Sequence, residues 1–157
     1  MLDRDGYRLN VGMVICNREG KVFWGKRHRS SGWQFPQGGL QDYETLQEAM
    51  YRELEEEVGL KKSDVEILGR SRNWVRYLLP EHLRRKNQHP FCIGQKQHWF
   101  LLLLKTSDGA INLRKETHRE FDTWKWVDYW HPLKEVIYFK KTVYAKILRE
   151  LEKNIAC

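Results

Sequence analysis

The segment from Gly38 to Leu60 constrains this chain more than any other part of it. Between Thr45 and Val58 stand strong helix formers with no Gly or Pro, and Gly59 follows as a C-cap, so the segment predicts a helix. Leu46, Met50 and Leu54 recur at four-residue steps and mark its buried stripe. Glu53, Glu56 and Glu57 then share a second face, because residues three and four apart on a helix are neighbours. Like charges so placed repel each other. A hard divalent cation among them would relieve the repulsion, since Mg²⁺ takes oxygen ligands and keeps waters and substrate phosphates in its shell. A solvated acidic face reads the triplet equally well. Glu55 projects away from the other three and belongs to solvent.

The surroundings tip the balance toward a site. Gly38 and Gly39 let the backbone run close to a phosphate or turn sharply into the helix. Glu44 stands at the helix entrance, where the macrodipole favours it, and simple capping is an equal reading. Arg52 is at helical spacing from Glu48 and Glu56, either to orient a ligand or as a surface ion pair of little worth.

The rest of the chain reads as strands with few helices, and no repeat or linker divides it, so one domain over 1–157 is expected. Alternation of Leu9, Val11, Met13 and Ile15 predicts a strand over Tyr7 to Cys16, with Val22 to Lys26 as its partner after a turn. Trp33 to Phe35 is a short extended piece, and Pro36 to Gly39 is a breaker cluster. Val65 to Leu79 holds one or two strands, Pro80 to Pro90 is a basic connector, His98 to Lys105 is the central strand, and Thr123 to Val127 is extended. Phe139 to Lys153 closes the chain as a helix with Val143, Ile147 and Leu151 on one face, more suited to packing on a sheet than to lying on a membrane. Helices between strands imply a mixed sheet covered on its faces.

A net charge of +7 suits a polyanionic partner if the cations surround a site. Cys16, Cys92 and Cys157 are odd in number and far apart, which argues against a disulfide framework or a zinc site. The histidines at 28, 82, 89, 98, 118 and 131 show no metal-binding spacing. The polar, acidic start is unlike a signal peptide, and the longest apolar run, Trp99 to Leu104, is too short to span a bilayer, so a cytoplasmic protein is expected. Most of the tryptophans are expected in the core.

The segment matches the Nudix box, G-x5-E-x7-R-E-U-x-E-E-x-G-U with U a bulky aliphatic residue. Gly38, Glu44, Arg52, Glu53, Leu54, Glu56, Glu57, Gly59 and Leu60 fill every fixed place. Gly6-Tyr-Arg-Leu-Asn-Val-Gly, Trp33-Gln-Phe-Pro-Gln-Gly-Gly, Arg72-Asn-Trp, Ile93-Gly-Gln-Lys-Gln-His-Trp-Phe, Glu120-Phe-Asp-Thr-Trp and Phe139-Lys extend the resemblance over nearly the whole chain. They resemble the bacterial RNA pyrophosphohydrolase subgroup of the Nudix hydrolases, which is close to the dinucleoside polyphosphate hydrolases. One departure is Asp42-Tyr43, where many members carry Pro-Gly.

The resemblance implies an α/β/α sandwich with a mixed β-sheet and a loop-helix-loop box. It implies Mg²⁺-dependent hydrolysis of the 5′-terminal polyphosphate of RNA to a 5′-monophosphate, an initiating step of mRNA decay. Two or three Mg²⁺ ions, with Mn²⁺ or Zn²⁺ as substitutes, would be held by Glu53, Glu56, Glu57, a distant Glu120 and the backbone at Gly38. Arg52 would act beside Glu53 and Glu57, and either glutamate is a candidate general base. Among the scattered cations Arg8, Lys26, Arg27, Arg29, Lys96, Lys140 and Lys141, several would ring the box. Arg8, Gln37, Tyr77, Gln95 and Lys140 resemble phosphate-side contacts, and Arg27, Ile137 and Phe139 resemble surfaces that hold the first bases. Arg84-Arg85-Lys86 reads as an exposed loop. Polyphosphorylated RNA or nucleotides are the expected partners of a monomer, with no membrane. Two rivals keep the same box: a dinucleoside polyphosphate hydrolase, and an inactive RNA- or nucleotide-binding module.

Overall fold

The computed structural model describes residues 1–85, 91–113 and 119–155. Lys86, His89, Pro90, His118 and Cys157, singled out in the sequence, lie outside the described residues. Two long strands form its axis. Strand β1 (Tyr7–Cys16) runs parallel to β7 (Gly94–Leu104), in register from Tyr7 opposite Gly94 to Cys16 opposite Leu103. All other pairings are antiparallel. Strands β2 (Val22–Arg27), β3 (Trp33–Gln34) and β8 (Phe121–Val127) extend the sheet on one side of this axis. On the other side β5 (Val65–Arg70) and β6 (Val75–Leu78) both pair with β7.

Period-two alternation sends successive side chains to opposite faces of the sheet. Val11, Met13, Ile15, Phe100 and Leu102 meet Met50, Leu54 and Val58 of helix α1 (Leu46–Val58) on one face. Val14, Trp24, Trp99 and Leu101 meet Tyr144, Ile147 and Leu148 of helix α3 (Lys141–Leu151) on the other, with Phe35 in the same cluster. The short helix α2 (His131–Glu135) leads into that second layer. The result is the expected α/β/α arrangement. Tyr144 is fully buried, and its hydroxyl accepts the Phe35 N–H at 3.0 Å, so the core carries no orphan there. Trp24 and Trp99 are core as expected, whereas Trp74 is 37% exposed.

The expected boundaries shift in several places. The central strand runs from Gly94 to Leu104 instead of from His98 to Lys105, because its pairing with β1 begins at Tyr7 opposite Gly94, while β8 begins at Phe121 instead of Thr123 and β2 reaches Arg27. The Pro36 to Gly39 breaker contains a strand, β4 (Gln37–Gly39), which takes up backbone groups of β1 from Asn10 to Gly12 that β2 does not reach. Thr45 caps α1 instead of lying inside it. The Val65 to Leu79 stretch is two strands, broken where Ser71 bonds the Trp99 backbone by both its N–H and its hydroxyl oxygen. The closing helix begins at Lys141, because Tyr138–Lys140 forms a 3₁₀ turn before it.

The axis depends on one small residue. A Cβ at Gly12 would stand 2.5 Å from the Trp99 indole, which lies flat across the strand. Gly12→Ala therefore forces the ring or the strand aside. We expect it to lower stability by about 1–3 kcal/mol, read as a lower urea midpoint with unchanged slope.

Candidate active site

Helix α1 is pinned at both ends. The Thr45 hydroxyl accepts the Glu48 N–H at 3.1 Å and the Glu48 carboxylate accepts the Thr45 N–H at 2.9 Å, while Gly59 closes the helix at φ 78°. Glu48 is thus taken by the capping box, and the expected Arg52–Glu48 pair does not form. Arg52 instead grips Glu44 through two bonds, of 2.7 and 2.9 Å, and donates to the Gly39 carbonyl at 2.8 Å. Glu44 also accepts the Gln41 N–H at 2.8 Å. Glu44 is therefore neither the cap nor a surface charge; it clamps the loop before the helix. This bidentate bond holds the Glu44 carboxyl below its ordinary range. In that loop Tyr43 adopts φ 69° and is fully exposed, a left-handed backbone that a glycine would take more easily.

The other end of the Arg52 guanidinium bonds Glu53 at 2.7 Å and Glu56 at 3.2 Å. Glu53 is buried, and its carboxyl carbon lies 2.0 Å from where a Cβ on Gly38 would be. Gly38 is thus the seat of a carboxylate, and any side chain there would expel it. One turn on, Glu57 accepts the Gln37 N–H of β4 at 3.2 Å and lies against Glu53. Enclosure raises the Glu57 pKa well above the ordinary carboxylate value, with the charges of Glu120 and Glu53 adding to it. Burial also raises Glu53, opposed by Arg52. Glu56 is the outward member, its side chain 44% exposed. Glu120, just before β8, accepts a 3.3 Å bond from Gln34.

Among the described residues no three His, Cys, Asp or Glu side chains are already disposed about one point as metal ligands. Arg52 occupies oxygens of Glu53 and Glu56 that such ligation would use. The chemistry of the set nevertheless fits a hard divalent ion. Its donors are carboxylate oxygens alone, and the Glu53–Glu57 contact needs a proton or a cation between like charges. Three histidines are engaged elsewhere: His98 accepts from Arg70 at 3.0 Å, His28 bonds Asp122 and His131 bonds Glu135.

Beyond the carboxylates lies a shelf of amides around a buried lysine. Lys140 donates to Gln34 at 3.0 Å and to Gln37 at 3.4 Å. Gln37 donates to Gln95 at 3.4 Å and accepts from Gln97 at 3.2 Å; Gln97 also donates to Asn10 at 2.9 Å. Burial, with Arg27 nearby, brings Lys140 down to about 8, so the side chain still carries its proton at neutral pH. It lies 5.7 Å from the centre of the Tyr77 ring, and burial pushes the Tyr77 hydroxyl up to about 12. Phe139 packs on Tyr77 at 5.7 Å, and Ile137 beside it is 44% exposed. Arg8 passes next to Gly39. Gln37, Gln95, Tyr77 and Lys140, which the family resemblance groups as phosphate-side contacts, thus stand next to one another.

Sequence reasoning missed Gln34, Gln97 and Asn10. Their signal was polar identity at strand positions that alternation turns inward. Two expected ring cations are engaged elsewhere: Lys26 pairs with Asp122 at 3.6 Å, and Lys96 with Asp3 at 3.5 Å. Asp122 also bonds the His28 ring at 2.5 Å and the Arg29 N–H at 3.0 Å, anchoring the turn that follows Arg27.

Comparison with known proteins agrees with this geometry. Residues 6–151 match the family model described as the NUDIX domain. The chain is 56% identical over 150 residues to the RNA pyrophosphohydrolase of Shewanella baltica (strain OS155), covering 96% of this chain and 86% of that one. It is 53% identical over 150 residues to the RNA pyrophosphohydrolase of Pseudoalteromonas translucida (strain TAC 125), covering 96% and 87%. Among solved structures, the E. coli dihydroneopterin triphosphate pyrophosphohydrolase superposes with TM-score 0.69 at 20% identity, over 92% of this chain and 98% of that one. A C. elegans Ap4A hydrolase complex gives 0.66 at 18%, over 93% and 98%, and at such identities these two likenesses speak for the fold alone. A box with every fixed place filled, on a helix seated in the family's sandwich, has one explanation: the chain belongs to the Nudix family.

Proposed function

We propose that this chain is an RNA pyrophosphohydrolase, which removes the 5′-terminal polyphosphate of RNA down to a monophosphate and so opens the RNA to decay. The observation that carries the hydrolytic reading is the enclosed Glu53–Glu57 pair facing Glu120 beside the buried ammonium of Lys140. The choice of RNA leans on relatives of that name at 53% and 56% identity. A single domain acting as a cytoplasmic monomer is part of the same reading. No helix among the described residues is long and apolar enough to cross a membrane.

Nudix hydrolases generally use divalent ions, usually Mg²⁺. In this reading Glu53, Glu56, Glu57 and Glu120, with the Gly38 backbone, would hold two or three of them. When bound, such ions neutralise a phosphate chain and lower the pKa of an attacking water. Arg52 keeps Glu53 aimed at the site through its 2.7 Å bond. Glu53 or Glu57 accepts the proton of the water. Lys140, Arg8, Gln37, Gln95 and Tyr77 take the phosphates, which fixes the chain in line for displacement. Arg27, Ile137 and Phe139 hold the first bases by stacking and apolar contact. Dinucleoside polyphosphates fit the same catalytic groups but have no continuing RNA chain.

The test is to incubate the protein with Mg²⁺ and RNA labelled at a 5′-triphosphate, and to identify the product. Release of pyrophosphate or phosphate with 5′-monophosphate RNA is expected; preference for diadenosine polyphosphate in competition would reverse the substrate assignment. Glu53→Gln, Glu56→Gln and Glu57→Gln should each lower turnover at least ~10²-fold. Near-normal rates in all three would contradict the mechanism.

The same carboxylates should oppose folding when no metal is bound. The folded pKa of Glu57 is raised above its unfolded value, so its stabilising contribution is complete below the unfolded pKa and is lost as pH rises through the folded one. In a chelator at neutral pH, Glu57→Gln should therefore melt higher than the wild type, and the difference should shrink as pH falls toward 4. A lower melting temperature for the variant at neutral pH would refute this.

A further inference from the structure

We infer that Gln97 is a positioning residue for the phosphate end of the substrate: it fixes which way the amides of the shelf face, and so turns hydrogen-bond donors outward. This rests on the hydrolytic reading above and extends it to a side chain that is fully buried. Alternation along β7 puts Gln95, Gln97 and Trp99 on one face of the sheet, the face that α3 covers. Asn10 stands opposite Gln97 across β1, and Tyr77 stands opposite Gln95 across β6. An amide as enclosed as that of Gln97 is costly unless its bonds are made. It makes three. It donates to Asn10 at 2.9 Å and to Gln37 at 3.2 Å, and its oxygen accepts the Trp99 indole N–H at 3.2 Å.

The direction of these bonds is forced. An indole N–H can only donate, so the Gln97 oxygen must face Trp99 and its NH₂ must face Asn10 and Gln37. The Lys140 ammonium can also only donate, and it too meets the Gln37 oxygen. With two donors on that oxygen, the Gln37 NH₂ is turned the other way. It donates to the Gln95 oxygen at 3.4 Å. It also meets the Tyr77 hydroxyl, where its bond opposes the rise of the Tyr77 pKa, as only a donor can. The Gln95 NH₂ is then the branch turned away from Gln37, and the Tyr77 oxygen, already accepting, leaves its O–H free to donate. Every oxygen in the relay from Trp99 to Gln95 points inward and every donor points onward. That polarity suits a ligand that can only accept, which is what the oxygens of an ionised phosphate chain are. Reversing Gln37 would set its oxygen against Gln95 and Tyr77 and spoil the shelf without moving any backbone.

The test uses Gln97→Met, which keeps the volume and removes both the acceptor for Trp99 and the donor for Gln37. The KM for 5′-triphosphorylated RNA under Mg²⁺ should rise ~10-fold, the effect of losing one bond to a charged acceptor, with kcat little changed. In a Gln37→Met background the same substitution should alter KM by less than about twofold, because no amide is left there to orient. A rise of equal size in both backgrounds would mean that Gln97 acts through packing alone and would overturn the inference. Should Gln97→Met fail to fold, the wild type decides. Its ¹⁵N-labelled Gln95 side-chain NH₂, identified by its loss in Gln95→Met, is followed by NMR as imidodiphosphate, a diphosphate that resists hydrolysis, is added with Mg²⁺. The NH₂ protons should move downfield as they donate to phosphoryl oxygen; protons that stay in place as the ligand saturates would overturn the orientation. That shift in a wild type that turns over no RNA would instead refute the substrate reading and leave the orientation of the shelf standing.

Discussion

Two adjoining carboxylates that repel one another, the buried Glu53 and the half-buried Glu57, are the constraint around which the rest of this protein is arranged. Neither would be kept in such a place by packing alone, because enclosing a charge without a partner costs several kcal/mol. The fold meets that cost with fixed groups. Gly38 gives up its side chain so that Glu53 can lie on the strand, the Gln37 N–H faces Glu57, and Arg52 bridges the helix to the loop before it. What is left is a residual repulsion that a divalent ion relieves. Stability and activity therefore pull the same residues in opposite directions, as is common where a site stores electrostatic strain.

The sheet explains why these groups meet. The parallel pair β1 and β7 is buried on both faces, which fixes the planes of α1 and α3. Where β2 ends its pairing, β4 takes over the edge of β1 and brings Gly38 beneath α1. On the opposite face the inward amides of Asn10 and Gln97 are satisfied by each other and by Gln37, and this network reaches Lys140 at the entrance of α3. The acidic and cationic halves of the site thus belong to different layers and are joined through one short strand. The Arg27 turn is fastened separately, by Asp122 and by the Glu120 carbonyl that accepts the His28 N–H at 2.8 Å.

Much of this was legible in the sequence, and the limits are physical. The helix, its cap glycine and its buried stripe follow from local propensity and period, so Thr45 to Val58 was readable to within one residue. The gathering of Glu53 and Glu57 followed from helical spacing, but their partners did not. Whether Arg52 bonds Glu48 or Glu44 depends on which carboxylate the capping box uses first. Strand β4 was hidden because Pro-Gln-Gly-Gly has breaker composition, and only the uncovered edge of β1 makes it extended. Glu120 is distant in sequence from the helix, and spacing carries no trace of its approach. Tyr43 shows the converse, a sequence departure that leaves one exposed, left-handed residue in the loop that Glu44 and Arg52 clamp.

The central claim is that Glu53 and Glu57 are held ready for a divalent ion. Calorimetric titration of Mg²⁺ into the protein, repeated in buffers of different ionisation enthalpy, tests it without reference to any substrate. The account predicts binding accompanied by proton release that grows as pH is lowered, since a carboxyl raised by its neighbours must lose its proton to become a ligand. Both the release and most of the affinity should vanish in Glu57→Gln. Mg²⁺ that fails to bind, or that binds the variant as tightly as the wild type, would contradict it.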